Sequence, residues 1–91
     1  AKLMPLARLG KCCKVHMNAS IHHESIIGDF STIAPGAQIL GNVKIGEAVY
    51  VGAGAIIRQR CEVGDRAVIG AGAVVVEDVA PGACVVGVPA N

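Results

Sequence analysis

Ninety-one residues form one domain near the small end of what folds alone, and 53% of them are hydrophobic although the chain has no Trp, one Tyr and one Phe. Without aromatic side chains to fill volume, the core must be built from aliphatic ones stacked in a regular way. A net charge of +1, with Arg58 and Arg60 as the nearest approach to a basic patch, excludes a nucleic-acid footprint. The apolar stretches are too short to span a bilayer and no signal-peptide pattern is present, so no membrane partner and a cytoplasmic location are expected.

In chain order, every sixth residue from Leu3 is aliphatic: Leu3, Leu9, Val15, Ile21, Ile27, Ile33, Ile39, Ile45, Val51, Ile57, Val63, Ile69 and Val75. Leu, Ile and Val are 26 of 91 residues, so thirteen in step have odds of less than roughly one in a million by chance, and the period is real. Four positions after each aliphatic stands a small or β-branched, uncharged residue: Ala7, Cys13, Ala19, Ser25, Ser31, Ala37, Val43, Val49, Ala55, Cys61, Ala67, Ala73 and Val79. Glycine often follows the aliphatic directly, at Gly10, Gly28, Gly46, Gly52, Gly64 and Gly70.

A period of six does not fit the helical 3.6, which would carry successive aliphatics around the axis. It is a multiple of the strand period of two, so a strand and a turn of six residues keep each aliphatic inward. Eleven of the thirteen are β-branched, as strands prefer. The prediction is an all-β parallel β-helix: three units close a triangular coil, and about five coils rise roughly 24 Å. The small column fits the narrow corners of such a tube. Residues 1–91 are read as one domain, with regular repeats over 3–80. Pro81-Gly82 then opens a terminal loop over 81–91.

Chemistry is expected on the variable turn positions. Cys12, Cys13, Cys61 and Cys84 lack zinc or disulfide spacing and read as reduced thiols, with Cys13 and Cys61 as small core residues. The cluster that stands out is His22-His23-Glu24, with His16 six residues before. Residues six apart occupy different corners, so the three histidines do not converge and no metal is expected. An imidazole titrates near neutrality and an adjacent carboxylate orients it, as a general base for acyl transfer requires. From the residues alone, a catalytic base and solvated turn histidines remain equal readings.

The words themselves carry a resemblance. Ser20-Ile21-His22-His23-Glu24-Ser25-Ile26-Ile27-Gly28-Asp29-Phe30, Ile33-Ala34-Pro35-Gly36-Ala37 and Gly41-Asn42-Val43-Lys44-Ile45-Gly46 resemble the left-handed β-helix domain of one bacterial acetyltransferase family. That family holds the UDP-4-amino-sugar N-acetyltransferases and the sialic-acid O-acetyltransferases. Gly70-Ala71-Gly72-Ala73-Val74-Val75 and Gly87-Val88-Pro89-Ala90 are similar to hexapeptide acetyltransferases generally. The resemblance implies a left-handed coil, a homotrimer, acetyl-CoA held between neighbouring subunits, and a sugar or nucleotide-sugar amine or hydroxyl as acceptor. The family's catalytic base falls on His23 and the acid that raises its basicity on Glu24. Its acetyl-CoA contacts fall on Thr32, Ala53 and Ala71. Thr32 stands where several members carry a second histidine. The family's N-terminal nucleotide-sugar domain has no counterpart here, so the chain is expected to correspond to the C-terminal domain only. The alternative expectation is a non-catalytic trimeric solenoid, or a CoA-binding remnant without an acceptor site.

Overall fold

A computed structural model describes residues 2–91. Thirteen two-residue strands recur at the predicted interval, and a fourteenth follows out of step: β1 (Lys2–Leu3), β2 (Arg8–Leu9), β3 (Lys14–Val15), β4 (Ser20–Ile21), β5 (Ile26–Ile27), β6 (Thr32–Ile33), β7 (Gln38–Ile39), β8 (Lys44–Ile45), β9 (Tyr50–Val51), β10 (Ile56–Ile57), β11 (Glu62–Val63), β12 (Val68–Ile69), β13 (Val74–Val75) and, after a longer interval, β14 (Cys84–Val85). They pair in parallel into three sheets, β1-β4-β7-β10-β13, β11-β8-β5-β2 and β14-β12-β9-β6-β3. Partners such as Ile21 and Ile39, or Ile27 and Ile45, stand one eighteen-residue coil apart in register. The chain is a solenoid of about five coils measuring 29 × 21 × 20 Å, close to the height predicted from strand spacing.

The second residue of each strand points inward and the first outward. Ile21, Ile27, Ile33, Ile39, Val51, Ile57 and Ile69 are buried in the shared core, each contributing on the order of 1.5–3 kcal/mol. The first coil departs from the expected enclosure. Leu3 and Leu9 remain 50% and 40% exposed, because no coil among the described residues covers that end.

Each regular corner, up to the one before β13, closes with one residue in the left-handed region. Leu6, Cys12, Asn18, Glu24, Phe30, Asn42, Ala48, Arg60 and Arg66 take φ between 54° and 68°, and Gly36, Gly54 and Gly72 fill the same place elsewhere. None of them is β-branched, as that conformation demands. Glycine after the aliphatic has a different reason: a Cβ on Gly28 would sit 2.5 Å from the Gly46 carbonyl oxygen, so the coils approach backbone to backbone.

The buried serines replace turn hydrogen bonds. Ser31 Oγ donates to Gly46 O (2.7 Å) and accepts from Val49 N (3.1 Å), bridging the turn of the next coil. Ser25 does the same for Leu40 O and Val43 N. Cys13 Sγ donates to Gly28 O at the same fifteen-residue offset, a thiol in the serine place. Cys61 is buried, and all four cysteines are free.

The regular frame breaks after Val75, four residues before the Val79 at which the sequence reading ended it. Val79 bridges Val63, sixteen residues before it, and so joins the aliphatic ladder rather than the small column. Val76-Glu77-Asp78 makes a corner shorter by two residues, with Asp78 Oδ1 accepting from Glu62 N (2.9 Å). The segment over 81–91, expected as a terminal loop, first completes another turn and strand β14, paired with β12 at the same shortened register. Its last residues then close the coil: Val74 N donates to Gly87 O, Ala90 N donates to Val74 O, and Ala90 packs on the core. A sliding six-residue frame cannot see this, because the slip is defined only by what Val79 and Val85 stack upon.

Candidate active site

Strand β4 delivers the chain into the corner between the first and second sheets, where His22, His23 and Glu24 make the turn. Neighbouring coils hold this turn on both sides: Glu24 N donates to Pro5 O (3.3 Å) and Asn42 N donates to His23 O (3.1 Å). Glu24 is the left-handed residue of the corner, which leaves its side chain beside the preceding imidazole. His23 Nδ1 lies 3.7 Å from Glu24 Oε1, and the two side chains are 58% and 53% exposed. A pair this exposed adds little to stability, so its effect is on the orientation of the ring. Nε2 of His23 has no hydrogen-bond partner among the described residues, whereas Nε2 of His22 stands 3.5 Å from Gln38 Oε1 on β7.

The other predicted residues sit elsewhere on the triangle. Ala53 and Ala71 share the corner between the third and first sheets, stacked one coil apart, with Gly72 N donating to Ala53 O (2.8 Å). Both are exposed, and a Cβ on the neighbouring Gly54 or Gly72 would meet nothing within 4 Å, so this corner is open along its length. The amides of Ala53 and Ala71 donate to no carbonyl among the described residues. Thr32 points outward from β6 on the third sheet, paired with Lys14 and Tyr50. That sheet lies opposite the His23 corner. One chain therefore brings His23 and Glu24 together, and Ala53 and Ala71 together, but does not join the two pairs.

A surface depression lined by Lys44, Glu62, Asp65, Asp78 and Pro81 among others lies over the second sheet and contains none of these residues. It is wide open and built from turn and sheet side chains. Among the described residues no three His, Cys, Asp or Glu side chains converge as metal ligands. The perturbed thiol is Cys61: burial chiefly pushes it up, Asp78 adds to this, Arg58 opposes it, and Glu77 adds further. A buried thiol so shifted is inert at neutral pH. One residue near the site escaped the six-residue reading. Gly41, eighteen residues after His23, lies against the imidazole, a contact that the coil length but not the repeat unit would have located.

Comparison with known proteins agrees with this architecture. The sequence matches the family described as bacterial transferase hexapeptide (six repeats) over residues 6–41 and 42–77. No curated protein matches the sequence closely enough to count as a relative. Among solved structures, a serine acetyltransferase from Neisseria gonorrhoeae in complex with serine is 38% identical, with a TM-score of 0.89 over 93% of this chain and 39% of that one. The acetyltransferase domain of PglB from Neisseria gonorrhoeae, in complex with acetyl coenzyme A, is 32% identical, with a TM-score of 0.89 over 99% of this chain and 53% of that one. A variant of perosamine N-acetyltransferase from Caulobacter crescentus, in complex with CoA and GDP-perosamine, is 28% identical, with a TM-score of 0.79 over 99% of this chain and 52% of that one. The chain thus spans about two fifths to half the length of these structures.

Proposed function

Because the chain belongs to the bacterial transferase hexapeptide family, we propose that it forms the catalytic solenoid of an acetyltransferase that uses acetyl-CoA and acts on a sugar or nucleotide-sugar amine or hydroxyl. The observation that carries this reading is the exposed His23–Glu24 pair, with the carboxylate on the Nδ1 side and Nε2 unengaged. In the proposed reaction His23 Nε2 takes the proton of the acceptor N–H or O–H as that atom attacks the thioester carbonyl carbon. Glu24 favours the tautomer with its proton on Nδ1 and stabilises the imidazolium that forms. The Thr32 hydroxyl donates to the developing oxyanion. As the carbon–sulfur bond breaks, the thiolate leaves and recovers the proton from His23.

Ala53 and Ala71 fit a pantetheine arm: their corner is open, small and lined with unengaged amides that can bond the arm's own amides. Since His23 and Thr32 lie on opposite parts of one triangle, a site containing both needs a second chain, which supports a homotrimer with its sites at the seams. The solved acetyltransferases bound to CoA and to a nucleotide-linked amino sugar support the substrate class, and support transfer over a non-catalytic scaffold. Serine is the second acceptor to assay, because the chain at 38% identity binds it. The particular subfamily and the correspondence to a C-terminal domain belong to the same proposal.

The test is an acetyl-transfer assay with nucleotide-linked amino sugars and serine, alongside calorimetric titration of CoA. His23→Ala is expected to lower turnover by roughly two to four orders of magnitude while CoA affinity stays nearly intact. Unaltered turnover in that variant refutes the role of His23.

A further inference from the structure

Along the corner that holds His23, the equivalent positions of successive coils are Pro5, His23, Gly41, Gln59 and Glu77. Only one of these is glycine, and it is the one stacked directly after the imidazole. Most other glycines of the solenoid are crowded by backbone, by an aspartate oxygen or by a structural side chain, or else take a left-handed φ. Gly41 is different on each count. Its φ is not left-handed, and the three nearest atoms to an added Cβ all belong to the His23 ring: Cε1 at 3.0 Å, Nε2 at 3.1 Å and Nδ1 at 3.5 Å.

We infer that Gly41 is a positioning residue that sets the pose of the His23 imidazole by presenting it a surface without a side chain. This inference rests on His23 acting as the base. Two contacts fix where the ring can be: Asn42 N holds the His23 carbonyl, and Glu24 lies beside Nδ1. The ring then lies with its Nε2–Cε1 edge nearest the next coil, where only a hydrogen occupies the side-chain place. A methyl group there presses on the edge that carries the reacting nitrogen. His23 is more than half exposed, so the ring yields by tilting outward and the fold is undisturbed. The tilt carries Nε2 off its line to the acceptor, and general-base transfer depends steeply on that line.

The experiment is Gly41→Ala, read by steady-state kinetics, CoA titration, thermal unfolding and the NMR signals of the His23 ring. The expected result is a fall in kcat of about ten- to a hundred-fold, with the Kd for CoA and the melting temperature near the parent's and the His23 ring signals shifted. In a His23→Ala background the same substitution is expected to cost nothing further. Retention of kcat in Gly41→Ala, with turnover abolished in His23→Ala, overturns this inference alone. Full turnover in His23→Ala removes the reading on which it rests. An equal loss from Gly41→Ala with and without the imidazole assigns Gly41 to the fold and also overturns the inference.

Discussion

Replacing Ser31 with alanine isolates one bridge between coils. The hydroxyl is fully buried, donates to Gly46 O and accepts from Val49 N, so its removal deletes two hydrogen bonds and leaves two backbone groups to satisfy. Held rigid, two buried unpaired groups cost roughly 2–6 kcal/mol together. The turn has an alternative, visible where alanine occupies the coil before: Ala55 N bonds Gly52 O directly at 3.1 Å, above Ala37. Relaxation to that form exchanges two bonds for one, so the expected loss is nearer 1–2 kcal/mol, or a melting temperature lower by about 4–8 °C per kcal/mol. Denaturant unfolding at fixed protein concentration measures it, and amide exchange at Val49 shows whether the direct bond forms. Ser31→Cys is expected to recover part of the loss, since Cys13 already donates to Gly28 O in this way. If Ser31→Ala matches the parent within about 0.3 kcal/mol and Val49 stays equally protected, the bridge has no energetic role and the reasoning fails.

Two further outcomes follow from the same solenoid. Ala71 is exposed on the open corner, so Ala71→Glu is expected to weaken CoA binding at least roughly ten-fold by blocking the approach to the backbone, with an unchanged melting temperature; equal affinity by calorimetry removes that corner from the site. Because burial and Asp78 push the Cys61 thiol up, the unfolded chain ionises there before the folded one does. Stability attributable to Cys61 is therefore fully present below the ordinary thiol range and declines as pH rises through it. Cys61→Ala is expected to flatten that part of a stability–pH curve, and an identical decline in both proteins contradicts the assignment.

The six-residue column alone specified short parallel strands in a triangular tube, because only a period that is a multiple of two keeps Ile21, Ile27 and Ile33 on the inside. It also told that Cys61 belongs to the core, and that His23 and Glu24, being neighbours in the chain, meet whatever the coil does. What depends on stacking was not legible. Val79 looked like a small-column residue until its partner proved to be Val63, and the left-handed requirement at Glu24 and Arg60 left only the faint trace of a position without β-branched residues. The bridging role of Ser31, the closeness of Gly41 to His23 and the separation of Thr32 from that corner are relations between residues a coil or more apart. Sequence order carries intervals along the chain; the coil decides which eighteen-residue neighbour fills the space above.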